Sequence, residues 1–144
     1  MSNLKFRGFH HVKFYSGNAK QSATFYTTRL GMTRCFYRGL ETSSRQEAAH
    51  VLKQDKIYFV LCSDLQEQSE ITEHVALHGD GVKDVAFCVD DCQAVFDRAV
   101  SKGAKVVREP WTESDEHGTV KMATIATVIL TYSSMEILFT PLWN

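Results

Sequence analysis

The chain contains an internal repeat. The stretch His11-Val12-Lys13-Phe14 returns seventy-three positions later as Asp84-Val85-Ala86-Phe87, and Asn18 falls on Asp91 at the same offset. Each copy consists of a short apolar strand, an Asn or Asp helix cap, and about a dozen amphipathic residues that end near a Gly. Two strand–helix–strand–strand halves leave one sheet face available for a site. The equivalent positions His11 and Asp84 are therefore the first candidates for chemistry.

The composition excludes several classes of protein. At 144 residues we expect one domain, large enough to bury a core. The net charge is -1 with interspersed signs, so neither nucleic acid nor an anionic membrane is indicated as a partner. No run approaches the roughly 18 apolar residues of a membrane span, and the first residues lack the apolar stretch of a signal peptide. These features predict a cytoplasmic protein.

The cysteines agree with that location. Most of them lie in apolar strand-like runs, and the spacing of the last two crosses from a strand into a helix rather than forming a CxxC pair. We expect reduced, partly buried thiols, with a disulfide pair or a zinc site as the alternative. The residues are Cys35, Cys62, Cys88 and Cys92.

Apolar periodicity and caps predict the elements of both halves. The first half is predicted as a strand at 9–15, a helix at 18–30, and strands at 33–39, 47–53 and 56–62, followed by a polar connection at 64–81. The second half is predicted as a strand at 82–90, a helix at 91–102, and strands at 105–108, 119–126 and within 129–139. Pro110 is expected to break the chain before a charged turn at 113–118. The fold class is therefore α+β, with two pseudo-repeated βαβββ modules that form a curved mixed sheet with the helices on its outer face. The halves, about 6–63 and 79–140, are expected to form a single domain over 1–144.

Strand parity orients the candidate residues. Val12 and Phe14 share one face of the first strand and should pack under a helix, as should Val85 and Phe87. His11 and Asp84 then face the opposite side, which we expect to be concave and free of helices.

Several strings together resemble one known family. These strings are Gly8-Phe9-His10-His11-Val12, Gly17-Asn18-Ala19-Lys20-Gln21, Tyr37-Arg38-Gly39-Leu40-Glu41-Thr42, His78-Gly79-Asp80-Gly81-Val82-Lys83-Asp84-Val85-Ala86-Phe87, Gly103-Ala104-Lys105 and Arg108-Glu109-Pro110-Trp111. Within the vicinal oxygen chelate superfamily, the chain resembles the amino-terminal domain of the 4-hydroxyphenylpyruvate dioxygenases over about residues 6–127.

The resemblance implies a function for the complete enzyme. Such enzymes convert 4-hydroxyphenylpyruvate and O2 to homogentisate and CO2 in tyrosine catabolism, with Fe(II) held by two His and one Glu. The resemblance also implies that these ligands lie in a carboxy-terminal domain, so that no catalytic residue and no cofactor is expected in this chain. The amino-terminal domain is implied to support the fold and subunit assembly, which predicts a homo-oligomer or pairing with a full-length subunit.

A vestigial metal cluster is the alternative interpretation of the repeat. Metal-binding members of the superfamily take ligands from the first and last strands of each half, which are the places of His11, Asp84 and Glu136. One His and two carboxylates could hold a divalent cation, in which case the chain would be a stand-alone metalloenzyme or small-ligand binder. The structural interpretation is that these are polar groups on a retired site. Of the other histidines, we expect His10 to be a half-buried strand residue and the rest to be exposed or structural, namely His50, His74, His78 and His117.

The tail at 128–144 departs from the family. A shift of the reading frame near Thr127 is our hypothesis for the change, beside a natural truncation, an alternative end or an unrelated tail. The apolar residues within 129–139 are nevertheless suited to forming the last strand.

Overall fold

The computed structural model describes residues 4–127 and, for the backbone alone, the strand at 134–139. The described chain contains eight strands, three α-helices and one 3-10 turn. In chain order these are β1 (Phe6–Tyr15), α1 (Ala19–Leu30), β2 (Thr33–Arg38), the 3-10 turn (Leu40–Thr42), β3 (Glu47–Gln54), β4 (Ile57–Asp64), α2 (Glu70–His78), β5 (Gly81–Val89), α3 (Cys92–Ser101), β6 (Val106–Asp115), β7 (Gly118–Ala126) and β8 (Ser134–Phe139).

The chain divides into two compact units. One, called here the N-unit, is the continuous segment His11–Lys83. The other, the C-unit, combines the residues up to His10 with those from Asp84 onward. Strand order is β2-β3-β4-β1 in the N-unit and β5-β8-β7-β6 in the C-unit. Apart from α2, each unit follows the βαβββ order that the repeat predicts, which confirms the α+β fold class with paired modules; the single-domain assignment stays a prediction.

The core of the N-unit lies between α1 and its strands. The helix begins after Asn18, whose Oδ1 accepts the N–H of Gln21 at 3.0 Å, and it ends at Gly31, whose φ of 72° is accessible to glycine without strain. Ala19 and Ala23 are completely buried and pack against Leu52 and Leu61, together with Phe14 on β1. Burying each of these leucines contributes about 1.5–3 kcal/mol. The predicted parity of β1 is confirmed, since Phe14 faces α1.

The core of the C-unit repeats this arrangement. Asp91 caps α3 by accepting the N–H of Ala94 at 3.0 Å. The apolar face of α3 packs onto β5 and β7, as its spacing predicts, through Val89, Cys92, Val95, Phe96, Ala123 and Ile125. The strand β8 runs parallel to β5 and antiparallel to β7, and therefore lies between them. A last strand within 129–139 is thus confirmed, at 134–139.

The predicted break at Pro110 is wrong. Strand β6 continues from Val106 to Asp115, and its pairing with β7 shifts register between Val106 and Arg108 and again between Arg108 and Trp111. A bulge leaves an unpaired position, and β6 is the outermost strand in the order of the C-unit. Pro110, which has no N–H to donate, is accommodated there without interrupting the strand.

The predicted polar connection at 64–81 is also wrong, because it contains α2. Ser69 caps this helix by accepting the N–H groups of Ile71 and Thr72 at 3.1 and 3.3 Å. Ile71 and Val75, four residues apart, pack against the sheet face that carries Tyr15 and Cys62. In the N-unit the helices therefore cover both faces of the strands, and not the outer face alone.

Candidate functional site

The three residues of the predicted cluster lie on strands as expected. His11 is half-buried on β1 in the N-unit, whereas Asp84 is 6% exposed on β5 in the C-unit. Glu136 lies on β8 beside Ala86 and Thr124 in register, and its side chain is outside the described residues. Among the residues that the structure describes, no group of three His, Cys, Asp or Glu side chains could hold a metal ion. The vestigial cluster stays a prediction.

Helix α2 covers one end of the face predicted to be free of helices in the N-unit. Tyr15 shares the strand face of His11 and Lys13, is 7% exposed, and packs in the cluster that α2 completes with Ile71. The ring of His74 on α2 meets the ring of Tyr15 edge-on at 5.3 Å. The expectation of an open face followed from missing α2, whose two apolar anchors seal the end of this face.

A cavity of about 580 Å³ opens in the N-unit where β1 ends and α1 begins. Aromatic rings and Leu61 form its apolar wall, and hydroxyl and amide groups with one carboxylate form its polar side. The lining residues are Phe14, Tyr15, Ser16, Gly17, Asn18, Gln21, Ser22, Phe25, Tyr26, Leu61, Asp80 and Gly81. Its volume lies within the range of small-molecule pockets.

Asp80 organises the polar side of this cavity. Its Oδ2 accepts the hydroxyl of Ser16 at 3.0 Å, and its Oδ1 accepts the N–H of Gly17 at 2.9 Å. Ser16, which is 3% exposed, also shares a hydrogen bond with Ser22 at 2.9 Å and accepts the N–H of Asn18 at 3.2 Å. The segment after α2 is thus tied to the β1–α1 turn by a carboxylate that no pattern in the sequence singles out.

A second group of polar residues surrounds His50 on β3. This residue is 3% exposed, and its Nδ1 is buried without a hydrogen-bond partner in the described structure. Burial lowers the pKa of His50, and the positive charges of Arg34 and Lys20 lower it further, against a smaller opposite effect of Glu41. His50 is therefore a neutral, structural histidine, as predicted for this group. His10 is half-buried in a strand, as expected.

The Tyr37 side chain joins His50 to the 3-10 turn. Its ring lies 4.7 Å from the imidazole of His50 between centroids, and its hydroxyl donates to Glu41 Oε2 at 2.6 Å. This hydrogen bond raises the pKa of Tyr37 and lowers that of Glu41. A Cβ atom at Gly39 would lie 1.9 Å from the Tyr37 hydroxyl oxygen, so only glycine leaves room for the ring. The string Tyr37-Arg38-Gly39-Leu40-Glu41 thus folds as one packed corner.

All four cysteines carry thiols. Cys92 and Cys62 are 1% exposed, and burial raises the pKa of the Cys92 thiol to about 11. A thiol with so high a pKa is a poor nucleophile at neutral pH. Cys92 therefore acts as a small apolar core residue, which agrees with the predicted reduced thiols.

The described side chains do not fit an iron site of two His and one Glu. The histidines that come together are His74 and His78, on successive turns of α2 with ring centroids 5.1 Å apart. Within the described ranges no third ligand-bearing side chain completes a group with them. His74 packs α2 against Tyr15, His78 contacts His74, and no reaction step is assigned to either residue.

Solved structures share this fold. A triple mutant of 4-hydroxymandelate synthase from Streptomyces coelicolor superimposes with a TM-score of 0.80 and 22% identity, over 93% of this chain and 38% of that one. Methylmalonyl-CoA epimerase from Mycobacterium tuberculosis superimposes with a TM-score of 0.75 and 18% identity, over 99% of this chain and 93% of that one. At such identities the likeness establishes the fold alone.

Sequence relatives establish the family. The chain is 52% identical over 124 residues to 4-hydroxyphenylpyruvate dioxygenase of Xenopus tropicalis and 50% identical over 124 residues to that of Danio rerio. Each alignment covers 85% of this chain and 32% or 31% of the relative, so the chain spans about a third of the length of these proteins. The family profile described as hydroxyphenylpyruvate dioxygenase, amino-terminal, matches residues 2–132. The predicted resemblance is thereby confirmed, and the chain belongs to the hydroxyphenylpyruvate dioxygenase family as its amino-terminal domain.

Proposed function

We propose that this chain acts as the non-catalytic amino-terminal domain of a 4-hydroxyphenylpyruvate dioxygenase, which converts 4-hydroxyphenylpyruvate and O2 to homogentisate and CO2. The observation that carries the proposal is the family match over residues 2–132. The chain spans only about a third of the length of its relatives. The Fe(II) of the complete enzyme would be bound outside the matched region. The chain's own contribution would be to complete the fold and to bring subunits together.

The contacts of the described side chains support a structural role for this domain. The buried polar groups of the N-unit are engaged in packing and capping: Ser16 hydrogen-bonds to Asp80, and His50 stacks on Tyr37. Groups that hold loops in place are suited to a scaffold, because a catalytic group needs an accessible atom next to a substrate.

We assign the chain to a cytoplasmic homo-oligomer or to an assembly with a full-length subunit. None of the helices in the part of the chain that the structure describes combines the length and apolarity needed to span a bilayer. Several large apolar side chains of the described chain are exposed, including Phe9 at 71% and Leu77 at 77%. Exposed apolar side chains are typical of surfaces that contact other proteins.

A domain exchange tests the proposal. In the Xenopus tropicalis relative, the matched segment is replaced by residues 2–127 of this chain, and homogentisate formation is measured beside the unaltered relative. We expect the exchanged protein to retain turnover with Fe(II), and the 144-residue chain alone to produce no homogentisate. Turnover by the isolated chain, or a folded but inactive exchanged protein, would contradict the proposal.

The internal repeat favours a second candidate function, that of a stand-alone metalloenzyme or small-ligand binder. His11 and Asp84 stand at equivalent positions of the two copies, seventy-three residues apart. This candidate predicts stoichiometric divalent metal that is lost in His11→Ala and in Asp84→Asn. Equal metal content in the parent chain and both variants, after dialysis against the metal, would refute it.

A further inference from the structure

A groove of about 490 Å³ lies on the C-unit between α3 and the start of the chain. Its floor is apolar and two cations stand at its edge, four residues apart on α3. The lining residues are Leu4, Phe6, Val95, Arg98, Ala99 and Lys102. Phe6 is 49% exposed and stands edge-on to Phe87 at 5.5 Å between ring centroids. The groove is therefore apolar at its base and positive along one rim.

The cations at the rim have no counter-ion among the residues that the structure describes. Arg98 and Lys102 are both exposed, and neither forms an ion pair with any residue in the described part of the chain. Two other cations of the described chain, Arg7 and Arg38, pair with Asp90 and Glu47. An occupant of the groove would thus combine an apolar side chain with a carboxylate.

Helix α2 presents that combination on its outer side. Ile71 and Val75 face the sheet, and Glu73 and Leu77, again four residues apart, point away from it. Leu77 is 77% exposed, the highest value among the large apolar residues of the described chain. Glu73 forms no ion pair within the described residues, whereas its neighbour Glu70 pairs with Lys83 at 3.5 Å. We call Glu73 and Leu77 the α2 ridge.

We infer that the groove of one copy of this chain takes the α2 ridge of a second copy. Leu77 enters the groove against Leu4 and Phe6, and Glu73 pairs with Arg98 and Lys102. Charge complementarity supports the match, because the ridge offers one carboxylate beside an apolar side chain and the groove offers two cations beside apolar side chains. The inference rests on the assembly role proposed above and names its surfaces.

The contact joins two different surfaces, the ridge of one copy and the groove of another. Each copy carries one ridge and one groove, so association closes when two copies exchange ridges and otherwise extends to larger assemblies. Burying Leu77 in apolar surroundings supplies affinity, whereas the charges supply partner choice and a dependence on salt.

Charge reversal on each side tests the inference. The mass of the 144-residue chain is measured by sedimentation over a range of concentrations. We expect concentration-dependent association, weakened at least about tenfold by Glu73→Arg, by Arg98→Glu and by Leu77→Lys. The double variant Glu73→Arg with Arg98→Glu should recover association, since the two charges are exchanged and not lost.

A matched control separates the ridge from general surface effects. Leu40 is 64% exposed in the 3-10 turn of the same unit, and Leu40→Lys should leave association unchanged. Circular dichroism of every variant establishes that the fold is retained. A chain that remains monomeric at all concentrations, or a double variant as weak as the two single ones, would overturn the inference. These outcomes leave the domain-exchange assay unaffected, so the two proposals fail separately.

Discussion

Asp80 is predicted to stabilise the N-unit by tying the segment after α2 to the β1–α1 turn. The substitution Asp80→Ala removes two hydrogen bonds, from the Ser16 hydroxyl at 3.0 Å and from the Gly17 N–H at 2.9 Å. After the change, the buried Ser16 hydroxyl can donate to Ser22 instead, and the exposed Gly17 N–H can bind water. Each lost hydrogen bond to the carboxylate is therefore compensated in part, and we expect the free energy of unfolding to fall by about 1.5 kcal/mol. For a chain of this size the melting temperature should fall by about 5 °C.

The control variant for this prediction is Asp80→Asn. Its amide oxygen still accepts from Gly17, and its NH2 group donates to Ser16, so the loss should stay below about 0.5 kcal/mol. Urea denaturation followed by circular dichroism measures both variants against the parent chain. The reasoning is refuted if Asp80→Ala unfolds at the parent's urea concentration. It is equally refuted if Asp80→Asn loses as much stability as Asp80→Ala.

Three further predictions concern the corner around His50. Ser43 has a φ of 69°, so Ser43→Gly should raise the free energy of unfolding by roughly 0.5 kcal/mol in urea denaturation. Because the folded pKa of His50 lies below its unfolded value of about 6.5, stability should hold above that pH and fall as the pH drops through it; His50→Leu should flatten this dependence in melting scans. Gly39→Ala should displace the Tyr37 ring from Glu41, so that an ultraviolet titration shows the raised tyrosine pKa returning toward its ordinary value. An unchanged titration would mean that the ring had kept its place.

The elements that the sequence predicts well are those with local signals at both ends. Helix α1 has an Asn cap and a Gly stop, and α3 has an Asp cap, so their limits agree with prediction within a residue or two. Helix α2 was missed because only Ile71 and Val75 mark its apolar face, within a polar segment. The signal that could have found it is Ser69, a good cap placed two residues before the first anchor.

The candidate site was less predictable because its contacts join distant positions. The alternation that carries His50 into the core beside Leu52 is visible in the sequence, but the partners that decide its charge lie on three other elements. Asp80 and Ser16 are 64 positions apart, and no period links them. The break predicted at Pro110 is wrong for the opposite reason. Proline is a strong local signal for a strand end, but the bulge on the outer strand β6 accommodates it.

The position of β8 has a consequence for how the chain matures during synthesis. On the ribosome, the N-unit emerges as one uninterrupted stretch and can condense early. The C-unit must wait, because β5 and β7 are joined through β8, which is translated after both. Until then, the edges of β5 and β7 that will pair with β8 remain unpaired and can bind other nascent chains. Chaperone capture during translation is therefore expected to fall on the segment from Gly81 to Ala126.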